Sequence, residues 1–258
     1  YMRKWYKYLL HRSTEHQSQA MHRSQTFVEY AAEMGGYEAD RDTYLTKEKF
    51  FETWYTHYHE GRLLNYDHFF RQHVARTDDA LSVASGRCAN ELRLLEDGYR
   101  ITCSDLEPAD MHDLAKTLFP VFKFIPLDIL RAPTATQYDV VLGLSLIYLF
   151  DDLELNRFFQ NVARSLKPQG KLILDSAGSP DNVPSFLIHD IWLKLEAYLI
   201  QFVSRFWSGT RYTVTAKHQG YRRSDNDIIR LARQCGFELV AQENYAFLTE
   251  FRRSPTLN

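Results

Sequence analysis

Cysteine is scarce in this chain. Its 258 residues contain three, Cys88, Cys103 and Cys235, and no two stand in a Cys-x-x-Cys spacing. That argues against a disulfide frame and a zinc ribbon, and it suits a reducing, cytoplasmic compartment. Charge of one sign is also lacking: 31 lysines and arginines face 33 aspartates and glutamates, a net charge of −2. Without a global basic field, nucleic acid is not an expected partner. Long apolar runs are absent, and the basic opening YMRKWYKYLLHRSTEH carries an apolar patch too short for a signal peptide or a membrane span. The chain has no G-x-x-x-x-G-K-[ST] phosphate cradle, no G-x-G-x-x-G turn and no Tyr-x-x-x-Lys pair, which argues against nucleotide hydrolases and nicotinamide dehydrogenases. Internal repeats and low-complexity tracts are missing too.

What is present centres on residues 80–108, ALSVASGRCANELRLLEDGYRITCSDLEP. The apolar run 80–84 can cross the middle of a sheet, and Gly86 lets backbone N–H groups approach a ligand where a Cβ would collide. Ala89, Leu92, Leu94 and Leu95 form much of a helical stripe. Residues 101–103 then begin a strand that delivers Asp105 to the carboxyl edge of the sheet, where open α/β sheets bind ligands. An acid about 20 residues past a glycine turn is placed to accept hydrogen bonds from ribose hydroxyls.

Further strands are expected at 122–127, ending at Asp128, at 138–145 (YDVVLGLS) and at 171–175. A helix from 152 to 166 stops at Lys167-Pro168-Gln169-Gly170, where Pro168 cannot continue it and Gly170 tolerates positive φ. Strands separated by helices imply a parallel sheet with right-handed crossovers. Residues 184–207 break the rhythm as one long amphipathic helix with too many charges for a lipid span. A helix from the Ser224 cap to Cys235 and two closing strands, 237–241 and 245–251, complete the core. Residues 1–76 read instead as a helical arm, with aromatic residues such as Tyr66, Phe69 and Phe70 at helical spacing.

These pieces resemble the class I S-adenosylmethionine-dependent methyltransferases over residues 78–251. Four matches occur in order: the turn 82–88 after the first strand, the acid Asp105 after the second, the acid Asp128 after the third, and YDVVLGLSLIYLFDD followed by LKPQGKLIL. The resemblance implies an α/β fold with a mostly parallel seven-stranded Rossmann-like sheet flanked by helices. It carries a helical N-terminal arm or lid (1–76) and a core (77–258) whose helical insertion, 180–221, covers the acceptor site. It also implies S-adenosylmethionine as cofactor, with S-adenosylhomocysteine as product. The cofactor would be held by Ser82, Ala84, Ser85, Gly86, Asp105, Leu106, Asp128, Ile129 and Leu144.

Within the turn, Ala84 and Cys88 replace the family's usual first and third glycines, and Ser82 replaces its acid. A methyl and a thiol there would narrow the space for the cofactor's amino-acid tail. Ser82 offers its ammonium no countercharge unless another carboxylate substitutes. The rival reading, a binding or scaffold protein that has lost the cofactor, rests on these three positions.

Methyl transfer from a sulfonium is an in-line displacement that chiefly needs positioning, and a base only where the nucleophile must lose a proton. The segment Leu144-Ser145-Leu146-Ile147-Tyr148 lacks the Asn/Asp-Pro-Pro-aromatic run and the Pro-Cys of base-methylating relatives. A small or medium-sized metabolite, sugar or lipid-linked acceptor, methylated on oxygen, is therefore the expectation. Tyr148, His189 and His218 are the candidate catalytic residues, with Asp175 a further candidate base, and Arg222 and Arg223 could clamp an anionic acceptor. No metal is expected: His57 and His59 do not share a helix face, and Asp175 lacks a partner acid at the end of the preceding strand. Peripheral membrane contact through 184–207, or a homodimer, would be other uses of the long helix.

Overall fold

The computed structural model describes residues 3–12, 60–86, 88–106, 111–175, 183–207, 212–243 and 248–255. The chain divides into two compact units. The larger contains the helix α1 (Glu60–His73) and then, in chain order, β2 (Asp79–Val83), α2 (Ala89–Glu96), β3 (Arg100–Asp105), α3 (Met111–Leu118), β4 (Lys123–Pro126), β5 (Tyr138–Gly143), α4 (Asp152–Ser165) and β6 (Leu166–Asp175). It closes with α6 (Asp225–Gln234), β8 (Phe237–Glu243) and β9 (Leu248–Arg253). The smaller is built from β1 (Arg3–Arg12), α5 (Val183–Trp207) and β7 (Tyr212–Arg222), with β1 and β7 paired as a two-stranded sheet.

The strand 3–12 is a correction to the all-helical arm expected there, and β7 was not anticipated at all. Residues 13–59, most of that arm, lie outside the described residues, whereas α1 matches its aromatic periodicity. Among the described residues, no helix is long and apolar enough to cross a membrane.

The seven-stranded sheet runs β4-β3-β2-β5-β6-β9-β8, parallel from β4 to β6, with β9 antiparallel to both its neighbours. The chain lays β2, β3 and β4 outward in one direction, then returns to place β5 on the other side of β2. That reversal opens a crevice at the carboxyl ends of β2 and β5, the place where such sheets bind ligands. Both faces are covered, as a parallel sheet requires. On one face Phe69, Leu92, Phe119, Val140 and Leu142 form a buried cluster under α1, α2 and α3. On the other, Leu81, Val141, Phe158, Phe159, Ile228 and Phe251 do so under α4 and α6.

Local chemistry sets the boundaries. Asp151 caps α4 by accepting from Leu153 N and Glu154 N at 2.9 Å, while Glu154 reciprocates to Asp151 N, a closed capping box. Ser224 caps α6 by accepting from Asp227 N at 3.2 Å, as expected. The stop after α4 works differently from the expectation. Gln169, not Gly170, takes the positive φ of 62°. Gly170 is needed for close approach, because a Cβ there would stand 2.9 Å from the Lys167 carbonyl and 3.1 Å from that of Asp139. Gly170→Ala must therefore push backbone apart, and thermal melting should show a loss of about 1–3 kcal/mol.

Candidate functional site

The turn after β2 answers the question raised by its missing glycines. Ala84, Gly86 and Cys88 all adopt the left-handed backbone, with φ of 53°, 54° and 60°. The path of the turn is therefore one that three glycines would take, held at a cost of about 1–2 kcal/mol for each residue that carries a Cβ. Of the two substituted side chains, that of Cys88 is buried and that of Ala84 partly buried. Ala84 packs against the Leu81–Val141 core, and the Cys88 thiol is fully buried beside Ser85 Oγ at 3.3 Å and His112 Nε2 at 3.7 Å. Gly86 stays on the open side, where a Cβ would meet nothing within 4 Å.

Burial alone would push the Cys88 thiol up, but hydrogen bonds with Cys103, His112 and Ser85 and the charge of His112 bring it down to about 6. Cys103 moves the other way, raised by burial and by Cys88. Burial tends to lower His112, yet Cys88 and the Gly86 carbonyl, 2.9 Å from its Nε2, hold it above the ordinary histidine value. This group lies behind the turn and stiffens it. The described residues contain no group of three His, Cys, Asp or Glu side chains that could hold a metal ion, and His57 and His59 lie outside them.

Asp105, at the end of β3, is tied to the turn directly. Its Oδ2 accepts from Gly86 N at 2.9 Å and its Oδ1 from Leu106 N at 2.7 Å, while its carbonyl accepts from Leu127 N at 2.7 Å. Ser85 is joined to the same strand through Ser104 O. Each Asp105 oxygen keeps a second lone pair for a ligand hydroxyl. Burial raises its carboxyl above the ordinary aspartate range, against the two backbone hydrogen bonds. Leu106 beside it is 45% exposed, an apolar surface open at the sheet edge.

Asp128 sits one strand further out, exposed, with Oδ1 accepting from Leu130 N at 3.0 Å. Ile129, expected to touch the cofactor beside Asp128, is turned into the core. Its side chain is buried with Leu81 and Val141, and its carbonyl accepts from Asn161 Nδ2. Leu144 is half-buried, and it lines a small cavity with Tyr66, Phe70, Asn90, Glu91 and Leu142.

Two residues of that cavity were missed as site residues. Glu91, on the first turn of α2, is 4% exposed and accepts from Ser82 Oγ at 2.6 Å. Among the described residues no ion pair joins it to a cation. Burial, and then the charge of Cys88, push its carboxyl up to about 7. The folded value thus lies above the unfolded one, so the associated stability is complete below about pH 4.5 and is lost as pH rises through 7. At about 1.4 kcal/mol for each tenfold change in proton affinity, the rise from 4.5 to about 7 corresponds to about 3 kcal/mol. Without ligand, Glu91→Gln should melt above the wild type at pH 8, with that advantage gone near pH 4.

Tyr66 is the other. Its phenol donates to Asp175 Oδ2 at the carboxyl end of β6, and Ser145 Oγ donates to the same oxygen at 3.3 Å. Asp175 is 1% exposed, so two hydroxyls converge on one buried carboxylate. The signal for Tyr66 was its place in the aromatic stripe of α1, which does not separate a site residue from a packing one.

The remaining candidates fare differently. Tyr148 lies in the short 3₁₀ turn Ile147–Leu149 just after β5, half-buried. His189 on α5 and His218 on β7 belong to the smaller unit, and their side chains lie outside the described residues. Arg223 is no anion clamp: it is 4% exposed, and its guanidinium donates to Asp152 Oδ1 at 2.9 Å and to the Phe150 carbonyl at 2.7 Å, tying the start of α6 to α4.

Comparison with known proteins places this geometry. Residues 80–170 match a family described as methyltransferase domain. No curated protein matches the chain. The solved structures it resembles include 1,6-didemethyltoxoflavin-N1-methyltransferase of Burkholderia thailandensis, crystallised with 1,6-didemethyltoxoflavin and S-adenosylhomocysteine. That likeness has 16% identity and a TM-score of 0.52 over 80% of this chain and 87% of that one. Magnesium protoporphyrin IX methyltransferase of Synechocystis PCC 6803, with bound S-adenosylmethionine, matches at 13% identity and TM-score 0.51 over 76% and 80%. The PH0226 protein of Pyrococcus horikoshii OT3 matches at 20% and 0.54 over 76% and 91%. At these identities the likeness establishes the fold.

Proposed function

We propose that this chain, whose residues 80–170 match a methyltransferase domain, is a class I methyltransferase that transfers the methyl group of S-adenosylmethionine to a hydroxyl or carboxylate oxygen of a small or medium-sized molecule. The residues present fit that cofactor. Gly86 leaves open space at the turn, Asp105 keeps acceptor capacity for two ribose hydroxyls, and Leu106 offers an apolar surface beside it. Asp128 stands where an exocyclic amine could donate to it. When bound, the cofactor supplies an activated methyl group on a positively charged sulfur.

The observation that carries the oxygen reading is the convergence of Tyr66 and Ser145 on Asp175. A neutral amine attacks through a free lone pair, whereas an alcohol must lose a proton as its bond to carbon forms. Tyr66 lines the cavity and can take that proton as its own passes to Asp175. The methyl then ends on the acceptor oxygen, and the sulfur leaves as a neutral thioether. Tyr148, at the mouth of β5, walls the same end of the sheet. His189 and His218 remain candidates for the acceptor side.

The rival reading, a scaffold without cofactor, drew on Ala84, Cys88 and Ser82. The left-handed backbone at Ala84 and Cys88 and the burial of the Cys88 side chain weigh against it. The three thiols, all free and buried, suit a reducing cytoplasmic setting. The test is transfer of isotope-labelled methyl to a panel of alcohols, carboxylates and amines, with product NMR to locate the label. Labelling of nitrogen alone, or of nothing while the cofactor binds, would overturn the oxygen assignment.

A further inference from the structure

We infer that Glu91, with Ser82, forms the subsite for the ammonium group of the cofactor's amino-acid tail, a carboxylate brought in from the helix because the strand has none. The inference rests on the cofactor reading above. Its basis is a buried charge without a countercharge. Glu91 is 4% exposed, accepts one side-chain hydrogen bond, from Ser82 Oγ at 2.6 Å, and has no ion pair with a cation among the described residues. The cavity beside it is lined by Phe70, Leu94, Leu142 and Leu144 together with Asp67 and Arg93, and no ion pair joins Arg93 to Glu91. A buried carboxylate is costly unless a cation joins it, and Ser82, whose hydroxyl donates to this one, stands two residues before the turn 84–86.

The reach of the pair supports the assignment. Ser82 Oγ lies about 2.4 Å from its Cα by ordinary bond geometry, and Glu91 Oε1 lies 2.6 Å beyond that hydroxyl. Together they place a carboxylate oxygen at most about 5 Å from the Ser82 Cα, within the reach of an acid side chain on the strand itself. Ser82 also orients the group, because its hydroxyl donates to one carboxylate oxygen and leaves the other for an N⁺–H donor. Neither Ala84 nor Cys88, which replace the first and third glycines, lines this cavity.

The experiment is calorimetric titration at pH 8 of wild type and Glu91→Gln with two ligands. These are S-adenosylhomocysteine and 5′-methylthioadenosine, the same nucleoside thioether without the amino-acid tail. Loss of one charged hydrogen bond predicts ~10–100-fold weaker binding of S-adenosylhomocysteine to the variant and no change beyond about twofold for methylthioadenosine. The double variant Ser82→Asp/Glu91→Gln, which returns the carboxylate to the strand, should recover most of the lost affinity.

Equal affinities of wild type and Glu91→Gln for S-adenosylhomocysteine would overturn the assignment. So would a parallel loss for both ligands, which would mark Glu91 as structural. A measurement on the wild type alone covers a variant that fails to fold. At pH 6.5, binding of S-adenosylhomocysteine should release protons, seen as heats that depend on the ionisation enthalpy of the buffer, and methylthioadenosine should not. No such difference would also refute it. Failure of the wild type to bind either ligand would instead overturn the cofactor reading itself.

Discussion

Asp105→Ala is expected to weaken S-adenosylmethionine binding by ~100-fold or more. Two ribose hydrogen bonds to an ionised carboxylate are lost together, each worth about 1.5–3 kcal/mol. The same change frees Gly86 N and Leu106 N, which now donate to the carboxylate, so the turn itself loosens. Melting curves separate the two effects: a loss of about 1–3 kcal/mol in the unliganded protein is the share due to the turn. Asp105→Asn, which keeps one acceptor, should fall between wild type and alanine. Because burial holds the Asp105 carboxyl above the ordinary aspartate range, the acid limb of cofactor affinity should set in at a higher pH than for an exposed aspartate. Titration calorimetry across pH 4–8 checks this, and affinity unaffected by Asp105→Ala would remove the ribose role.

Asp175→Asn should lower kcat by ~10²–10⁴ for an alcohol acceptor while leaving cofactor affinity within about twofold. The asparagine can still accept from Tyr66 and Ser145 but cannot take up a proton. Tyr66→Phe should act in the same direction, because it removes the cavity-facing member of the relay. The loss should shrink for acceptors with more acidic hydroxyls, since a phenol that ionises readily needs little help. Steady-state kinetics with a graded series of acceptors supplies the measurement. A defect of equal size on every acceptor would identify Tyr66 and Asp175 as packing partners rather than a proton path.

How far the site could be read beforehand follows from the range of each signal. Asp105 was legible because a strand, a turn and a helix of ordinary length fix where the next strand ends, whatever the rest of the chain does. Ser224 and the stop after Leu166 were legible for the same local reason. Glu91 was not: on the helix 89–96 it reads as one polar position among several, and only the packing of α2 against β2 shows that it is buried on Ser82. The Tyr66–Asp175 pair spans 109 positions, and nothing in either neighbourhood announces the other. Gly170 carried a correct signal with the wrong mechanism, since a glycine needed for close approach and one needed for positive φ look alike. The strand β1, RKWYKYLLHR, looked like basic helix because its partner β7 is far along the chain and was itself unread.

That pairing bears on how the protein can be made and cut. A strand from residues 3–12 joins one from 212–222, so the small sheet cannot close until most of the chain has left the ribosome, whereas β2 to β5 already have their neighbours by residue 175. A fragment started at residue 77 to isolate the catalytic core would still contain β7 but not its mate. It would thus carry a row of open backbone donors and acceptors that invites another chain to pair. A shortened version should therefore omit both strands or neither.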